Sequence, residues 1–155
     1  MMRKLLIFTA LVALDVAAQA QLPGLRKRGP QTPTPQQQQQ AVLQGIDAAR
    51  LEFGTQSGGT TIYFGAESVG LTVPSRTVLA AQAAWLRRHP EIVVRVEGYG
   101  DSGDTRDHAL AVGARRAEEA RSYLVLLGVP AAQLSATSWG KERPGLGRAV
   151  TVLVR

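Results

Sequence analysis

Two hydrophobic periods, one typical of strands and one typical of helices, alternate along the C-terminal part of the chain and limit the folds it can adopt. The segments TTIYF and EIVVRVEGYG are rich in β-branched and aromatic residues. In the second segment Ile92, Val94 and Val96 form one apolar face, and Arg95 and Glu97 fall on the other. A period of two of this kind predicts strands with one drier face.

Two further stretches repeat their inward-facing residues every three or four positions, as amphipathic helices do. The first begins near Pro74, which suits an initial helical turn, and ends at His89-Pro90. The second is closed by Gly128. The periodic positions of the second stretch are Leu110, Gly113, Ala117, Ala120, Leu124 and Leu127.

The segments LSATSWG and RAVTVLV predict two final strands, joined by the turn KERPGLG. The element order is therefore β-α-β-α-β-β. Because helices must bury their apolar faces, we expect an α+β sandwich in which two helices pack on one face of a mixed four-stranded sheet.

Residues 1–20 predict a signal peptide. Arg3 and Lys4 precede an apolar run, and the AQA before Gln21 is the small-x-small pattern of a cleavage site. An uncleaved anchor is the alternative, but Asp15 interrupts a run that is shorter than the roughly 20 residues needed to span a bilayer. We expect export to the periplasm of a Gram-negative-type cell, without a transmembrane span in the mature chain.

The next two segments connect this peptide to the folded domain at 59–155. Residues 21–40 predict a flexible linker, because they are rich in proline and glutamine and offer almost nothing to bury. Residues 41–58 predict a short helical or irregular connector; the alternative is that its helix already begins in the glutamine run at 36–40. Its helically spaced residues are Val42, Ile46, Ala49 and Phe53.

Composition excludes several functional classes. The chain has no cysteine, which rules out disulfides, thiolate metal sites and an acylated cysteine. Its net charge of +6 is interleaved with acids, which does not favour nucleic acid binding; attraction of residues 26–28 to anionic polymers is a weaker alternative. His89 and His108 lack a metal-ligand or triad spacing, and we expect no metal, no cofactor and no enzymatic activity.

The stretch EGYGDSGDTRDHALAVGARR places an acid and a base on either side of a predicted turn. Asp101 lies just ahead of a helix, where backbone N–H groups stabilise an anion. Arg116 follows about three turns into that helix. A ligand with both an ammonium and a carboxylate would satisfy the two, with Asp101 accepting from the ammonium and Arg116 gripping the carboxylate. An ordinary surface salt bridge between them is the alternative, and in either case we expect both groups to lie at the surface.

Several motifs in this order resemble the C-terminal domain shared by OmpA, the peptidoglycan-associated lipoprotein and the flagellar motor stator proteins. They are a strand ending in Gly98 with an aspartate soon after it, a helix with Arg116-Ala117, an LGV turn, and an aromatic-glycine-lysine-glutamate loop at Trp139. The resemblance covers roughly residues 60–155.

The resemblance implies non-covalent binding of peptidoglycan through the diaminopimelate of its stem peptide, with Asp101 taking the ammonium and Arg116 a carboxylate. It also implies association with the outer membrane and cell wall, where the domain would tether or position an envelope component. A protein partner would then bind the N-terminal segment. The residues expected to bind the wall ligand are Asp101, Arg116, Gly100, Ser102, Thr105, His108 and Arg148.

The sequence also departs from the family pattern. Ala109 replaces the asparagine usual at the start of the binding helix, and His108 replaces the aromatic residue before it. Asp104 stands where glycine is common, and Leu146-Gly147 reduces the basic motif ahead of the last strand. The alternative function is therefore a degenerate domain that serves as an envelope protein–protein interaction module without wall binding.

Overall fold

The structure, a computed structural model, describes residues 33–143 and 147–154. The predicted signal peptide and residues 21–32 of the predicted linker lie outside these ranges. Within them, none of the helices combines the length and the apolar character needed to cross a membrane.

Three helices and a four-stranded sheet make up the described part of the chain. In chain order they are α1 (Pro35–Gln56), β1 (Thr61–Tyr63), α2 (Val73–Arg88), β2 (Val94–Tyr99), α3 (Arg106–Leu126), β3 (Leu134–Gly140) and β4 (Arg148–Leu153). The strand order is β1-β4-β2-β3, in which β2 and β3 are parallel and the other neighbours antiparallel. The predicted α+β class, with two helices packed on a mixed sheet, is confirmed, and α1 is a third helix beside them.

Local sequence sets the starts of the two helices that pack on the sheet. Thr72 caps α2 by accepting a hydrogen bond from the Ser75 N–H at 3.2 Å, and Pro74 lies in the first turn. Thr105 caps α3 by accepting from the His108 N–H at 3.3 Å. Each cap satisfies a backbone donor that has no partner inside its helix. Consequently α3 begins directly after the turn that follows β2.

The core lies between the sheet and the two helices on one of its faces. α3 crosses β2 and β3, and α2 contacts β1. On the opposite face, Tyr63 and Arg95 remain open to solvent. Buried side chains between the layers include Leu79, Leu86, Val94, Val96 and Leu124.

The first helix is longer and better integrated than predicted. Because α1 begins at Pro35, the last six residues of the predicted linker, 35–40, are helical. Phe53 is fully buried against Trp85, with the ring centroids 5.1 Å apart, and Ala49 packs on the same core. The compact unit therefore starts at Pro35, well before the predicted domain boundary.

Phe53→Ala should lower the free energy of unfolding by about 3 to 5 kcal/mol, because it leaves a cavity beside Trp85. Urea denaturation of the two proteins measures the difference. Leu51→Ala is the matched control on the same helix, since Leu51 is 72% exposed and its loss should change stability by less than about 0.5 kcal/mol. Equal, small effects of both substitutions would mean that α1 is only a loose connector.

One expectation about which side chains face the core was wrong, and one residue of the outer sheet face is more buried than expected. Leu110, assigned to the inward stripe of α3, is 48% exposed, because α3 approaches the sheet so closely that only small residues such as Gly113 fit between them. Glu97, assigned to the wetter face of β2, is only 3% exposed. Hydrogen bonds from Arg95 and Tyr99 satisfy its carboxylate and make that burial tolerable.

Candidate binding site

The site lies where β2 ends and α3 begins. Asp101 follows β2 closely, and the turn after it brings α3 back so that Arg116 faces the aspartate. The distance from Arg116 Nη1 to Asp101 Oδ1 is 3.2 Å, and that from Nη2 to Oδ2 is 3.4 Å. The guanidinium thus donates to both carboxylate oxygens, in the two-point geometry that arginine favours. The two residues do lie together, as the sequence predicts.

Arg116 is not a surface residue, contrary to expectation. Its side chain is fully buried, and its five N–H groups all have acceptors within the chain. Two of them donate to Asp101. The other three donate to backbone carbonyl oxygens, those of Ser68 at 2.9 Å, Tyr99 at 2.9 Å and Gly65 at 3.2 Å. In this arrangement Arg116 has no donor left for a ligand.

The carboxylate of Asp101 is held in its ionised form. The hydrogen bond from Arg116 does most to lower its pKa below the usual 3.8, burial opposes this, and the Glu67 and Gly147 N–H groups lower the pKa further. The Glu67 nitrogen is 3.2 Å from Oδ2. Because 29% of the Asp101 side chain is still exposed, an oriented anion faces the solvent.

Glu67 and Gly147 also contribute to the site, although from the sequence Glu67 was not expected there and Gly147 only marked a lost basic contact. Glu67 has a φ of 53°, a left-handed conformation uncommon in residues other than glycine, and donates its N–H to Asp101. A Cβ at Gly147 would lie 2.5 Å from Arg116 Nη1 and 2.6 Å from Asp101 Oδ1, so a side chain does not fit there. Both contributions come from the backbone, for which no residue pattern gives a signal.

A cleft of about 710 Å³ opens beside the Asp101 carboxylate. The described residues that line this cleft include three acids and no basic residue, so the cleft attracts cations. An ammonium group is therefore the best match to its charge. The described lining residues are Tyr63, Phe64, Ala66, Glu67, Asp101, Ser102, Gly103, Asp104 and Gly147.

Of the other four residues predicted around the turn, one lines the cleft, two shape the turn and one lies at the surface. Ser102 lines the cleft. Thr105 caps α3, and Gly100 brings its backbone against that helix so closely that a Cβ there would clash, so both shape the turn. His108 is at the surface, with Nε2 3.8 Å from the Asp104 carboxylate.

Arg148, which was expected at the site, and Ala109, which replaces the family asparagine, do not line the cleft. Arg148 lies on the sheet face away from the helices, because its neighbour Ala149 faces them, and its guanidinium carbon is 4.7 Å from the centroid of the Tyr99 ring. Ala109 is fully buried against the backbone of Gly100. The position where the family pattern has an asparagine is therefore part of the packing here.

The fold and the site together define a class of small α+β domain with an acidic cleft after its second strand. The model of the OmpA family matches residues 63–150, which is more than half of the chain, and the chain belongs to the OmpA family. Membership assigns it a non-enzymatic role in the periplasm, in association with the outer membrane and cell wall.

Relatives of known name agree with this assignment. The chain is 40% identical over 90 residues to a peptidoglycan-associated lipoprotein of Agrobacterium fabrum, across 58% of this chain and 51% of the relative. The crystal structure of the peptidoglycan-associated lipoprotein from Burkholderia pseudomallei is 32% identical and superposes with a TM-score of 0.60, over 63% of this chain and 92% of that one. A putative MotB-like protein from Desulfovibrio vulgaris, 21% identical with a TM-score of 0.59 over 75% and 92%, shares the fold. The chain spans about half the length of the curated relatives it matches.

Proposed function

We propose that this chain binds peptidoglycan non-covalently and that Asp101 accepts the ammonium of a diaminopimelate residue in the stem peptide. Family membership and the names of the relatives support association with the wall. The single observation behind the ligand assignment is the oriented Asp101 carboxylate in a cleft whose described lining has three carboxylates and no basic side chain. Bound in this way, the domain tethers any protein that contacts its N-terminal segment to the cell wall.

Arg116 has a different role in this proposal from the one predicted from the sequence. Because its N–H groups are used within the chain, it orients the Asp101 carboxylate and keeps it charged. It is therefore a positioning residue in the described arrangement. The carboxylate of the ligand would instead meet N–H groups in the first turn of α3, where the helix dipole favours an anion.

Asp101→Asn should weaken wall binding about 10- to 100-fold, because a charged hydrogen bond to the ammonium contributes about 1.5 to 3 kcal/mol. The measurement is co-sedimentation of the chain with insoluble peptidoglycan sacculi at moderate salt, with free diaminopimelate as competitor. Glu119→Gln is the matched control, since Glu119 is an exposed acid farther along α3, outside the cleft lining, and its loss should not affect binding. Failure of the wild-type chain to sediment would contradict the proposed function.

Wall binding should persist on acidification until Asp101 is protonated. Its folded-state pKa lies below 3.8, so the carboxylate and its pairing with Arg116 are intact above the ordinary pKa and are lost as pH falls through the lowered one. We expect binding to hold from pH 7 to about pH 4, since an ordinary aspartate titrates near 3.9. Sedimentation across this range, with circular dichroism to monitor folding, measures it. A binding midpoint near pH 6 would identify a histidine as the controlling group instead.

A second candidate function is the protein-interaction module without wall binding. The observation that favours it is Gly147, whose backbone lies against both Arg116 and Asp101 and limits access to the pair. A wild-type chain that unfolds cooperatively but stays in solution with sacculi would support this candidate over the first.

A further inference from the structure

The sheet face opposite the helices holds a cluster of charged and aromatic residues that the cleft does not use. Strand alternation places residues of β2, β3 and β4 on this face, and the loop after β3 adds one arginine. Among the residues of the four strands that point to this side, Glu97 is the only acid. The cluster consists of Arg95, Glu97, Tyr99, Trp139, Arg143 and Arg148.

Two of the three guanidinium groups are stacked on aromatic rings. The Cζ atom of Arg143 is 4.1 Å from the centroid of the Trp139 ring, and that of Arg148 is 4.7 Å from the centroid of the Tyr99 ring. Stacking holds the plane of a guanidinium while its edge can still donate hydrogen bonds. The Arg143 side chain is 55% exposed, so its edge is accessible from solvent.

Glu97 is the buried hydrogen-bond acceptor of this cluster. Its carboxylate is 5% exposed and accepts hydrogen bonds from Arg95 and from the Tyr99 hydroxyl, each at 2.9 Å, while Arg143 Nη1 is 3.6 Å away. Burial raises its pKa, but the hydrogen bonds from Tyr99 and Arg95 and the charge of Arg95 act against burial, and the pKa is lowered overall. The one acid that the described strands place on this face therefore lies beside two of the three guanidinium groups, those of Arg95 and Arg143.

We propose that this basic sheet face, formed by Arg95 and by Arg143 and Arg148 on their aromatic supports, docks an acidic segment of a partner protein. Flat guanidinium edges match carboxylates in two-point hydrogen bonds. Val150 and Val152 are half-buried on the same face and provide apolar contacts that a lipid headgroup would not use. Because the cleft is acidic and this face is basic, the two surfaces select different ligands, and the inference does not depend on wall binding.

The test uses the full chain recovered from the periplasm of an expressing bacterium and a fluorescein-labelled peptide of alternating glutamate and valine. Fluorescence anisotropy at low salt measures their affinity. We expect the wild type to bind and the Arg143→Ala, Arg148→Ala double variant to lose at least about tenfold in affinity. Arg115→Ala, which removes an exposed arginine from α3, should bind as the wild type does. Arg143→Lys keeps the charge without the flat edge, and should lose affinity about threefold or more.

Three outcomes would overturn the proposal. The first is equal affinity in the wild type and the double variant, or no binding by either, with thermal unfolding showing that both are folded. The second is displacement of the peptide by phosphatidylglycerol vesicles that bind the chain more tightly, which would assign the face to a lipid surface. The third is displacement by soluble muropeptides, which would make the face an extension of the cleft.

Discussion

Arg116→Ala should destabilise the domain by about 3 to 5 kcal/mol, as removal of one member of a buried ion pair does. The substitution would leave the Asp101 carboxylate without its main donor, and the carbonyl groups of Gly65, Ser68 and Tyr99 would each lose a hydrogen bond. Since small domains are stable by only about 5 to 15 kcal/mol, this loss is a large fraction of the total free energy of unfolding. Urea denaturation at pH 7 measures the loss.

The adjacent Arg115→Ala is the matched control, because Arg115 is exposed on the same helix and should contribute less than about 0.5 kcal/mol. Comparison with sacculus binding separates the two roles proposed for Arg116. If Arg116→Ala abolishes binding while the urea midpoint is unchanged, the arginine contacts the ligand directly, as the sequence alone suggests. A lower midpoint with the loss of binding agrees with a positioning role.

Gly98→Ala should destabilise the domain by about 3 kcal/mol or more, at the upper end of the cost of overpacking. An added Cβ would lie 2.8 Å from the carbonyl carbon of Gly113 and 2.9 Å from the Cβ of Ala117. The main obstacle is backbone, so relief requires α3 to move away from β2. That movement would also separate Arg116 from Asp101, and wall binding should fall together with the melting temperature.

Gly103→Ala provides the control for this prediction. Gly103 lies in the turn between β2 and α3, and a Cβ there would meet nothing within 4 Å. Its replacement should change stability by less than about 0.5 kcal/mol. Similar losses in both variants would mean that glycine flexibility in this region, and not the close approach of α3 to β2, controls stability.

The residue pattern predicted which two side chains meet at the site, but not how deeply they are buried. The sequence predicted that Asp101 and Arg116 would meet, because a strand, a short turn and a helix return the chain on itself. It predicted a surface pair, since arginine is mostly exposed in proteins. The structure buries the guanidinium because carbonyl groups from two segments distant in sequence, at Gly65 and Ser68 and at Tyr99, converge on it.

The first helix shows the same limit at the level of the fold. Its helical spacing was recognisable, but its role in the core was not, because Phe53 is buried only through contact with Trp85 on another helix. The polar composition of the segment around Gln36–Gln40 also predicted a flexible linker, whereas α1 begins at Pro35.

The elements, their order and the motifs of the OmpA family follow from local sequence, because hydrophobic period, proline placement, helix caps and turn glycines act within a few residues of one another. The burial of Arg116 and Glu97, the exposure of Leu110 and the position of Gly147 against the Asp101 pair follow from tertiary packing. These outcomes depend on how closely α3 approaches the sheet and on which distant backbone groups meet it. Contacts of this kind are set by packing between segments, and no local pattern of side chains encodes them.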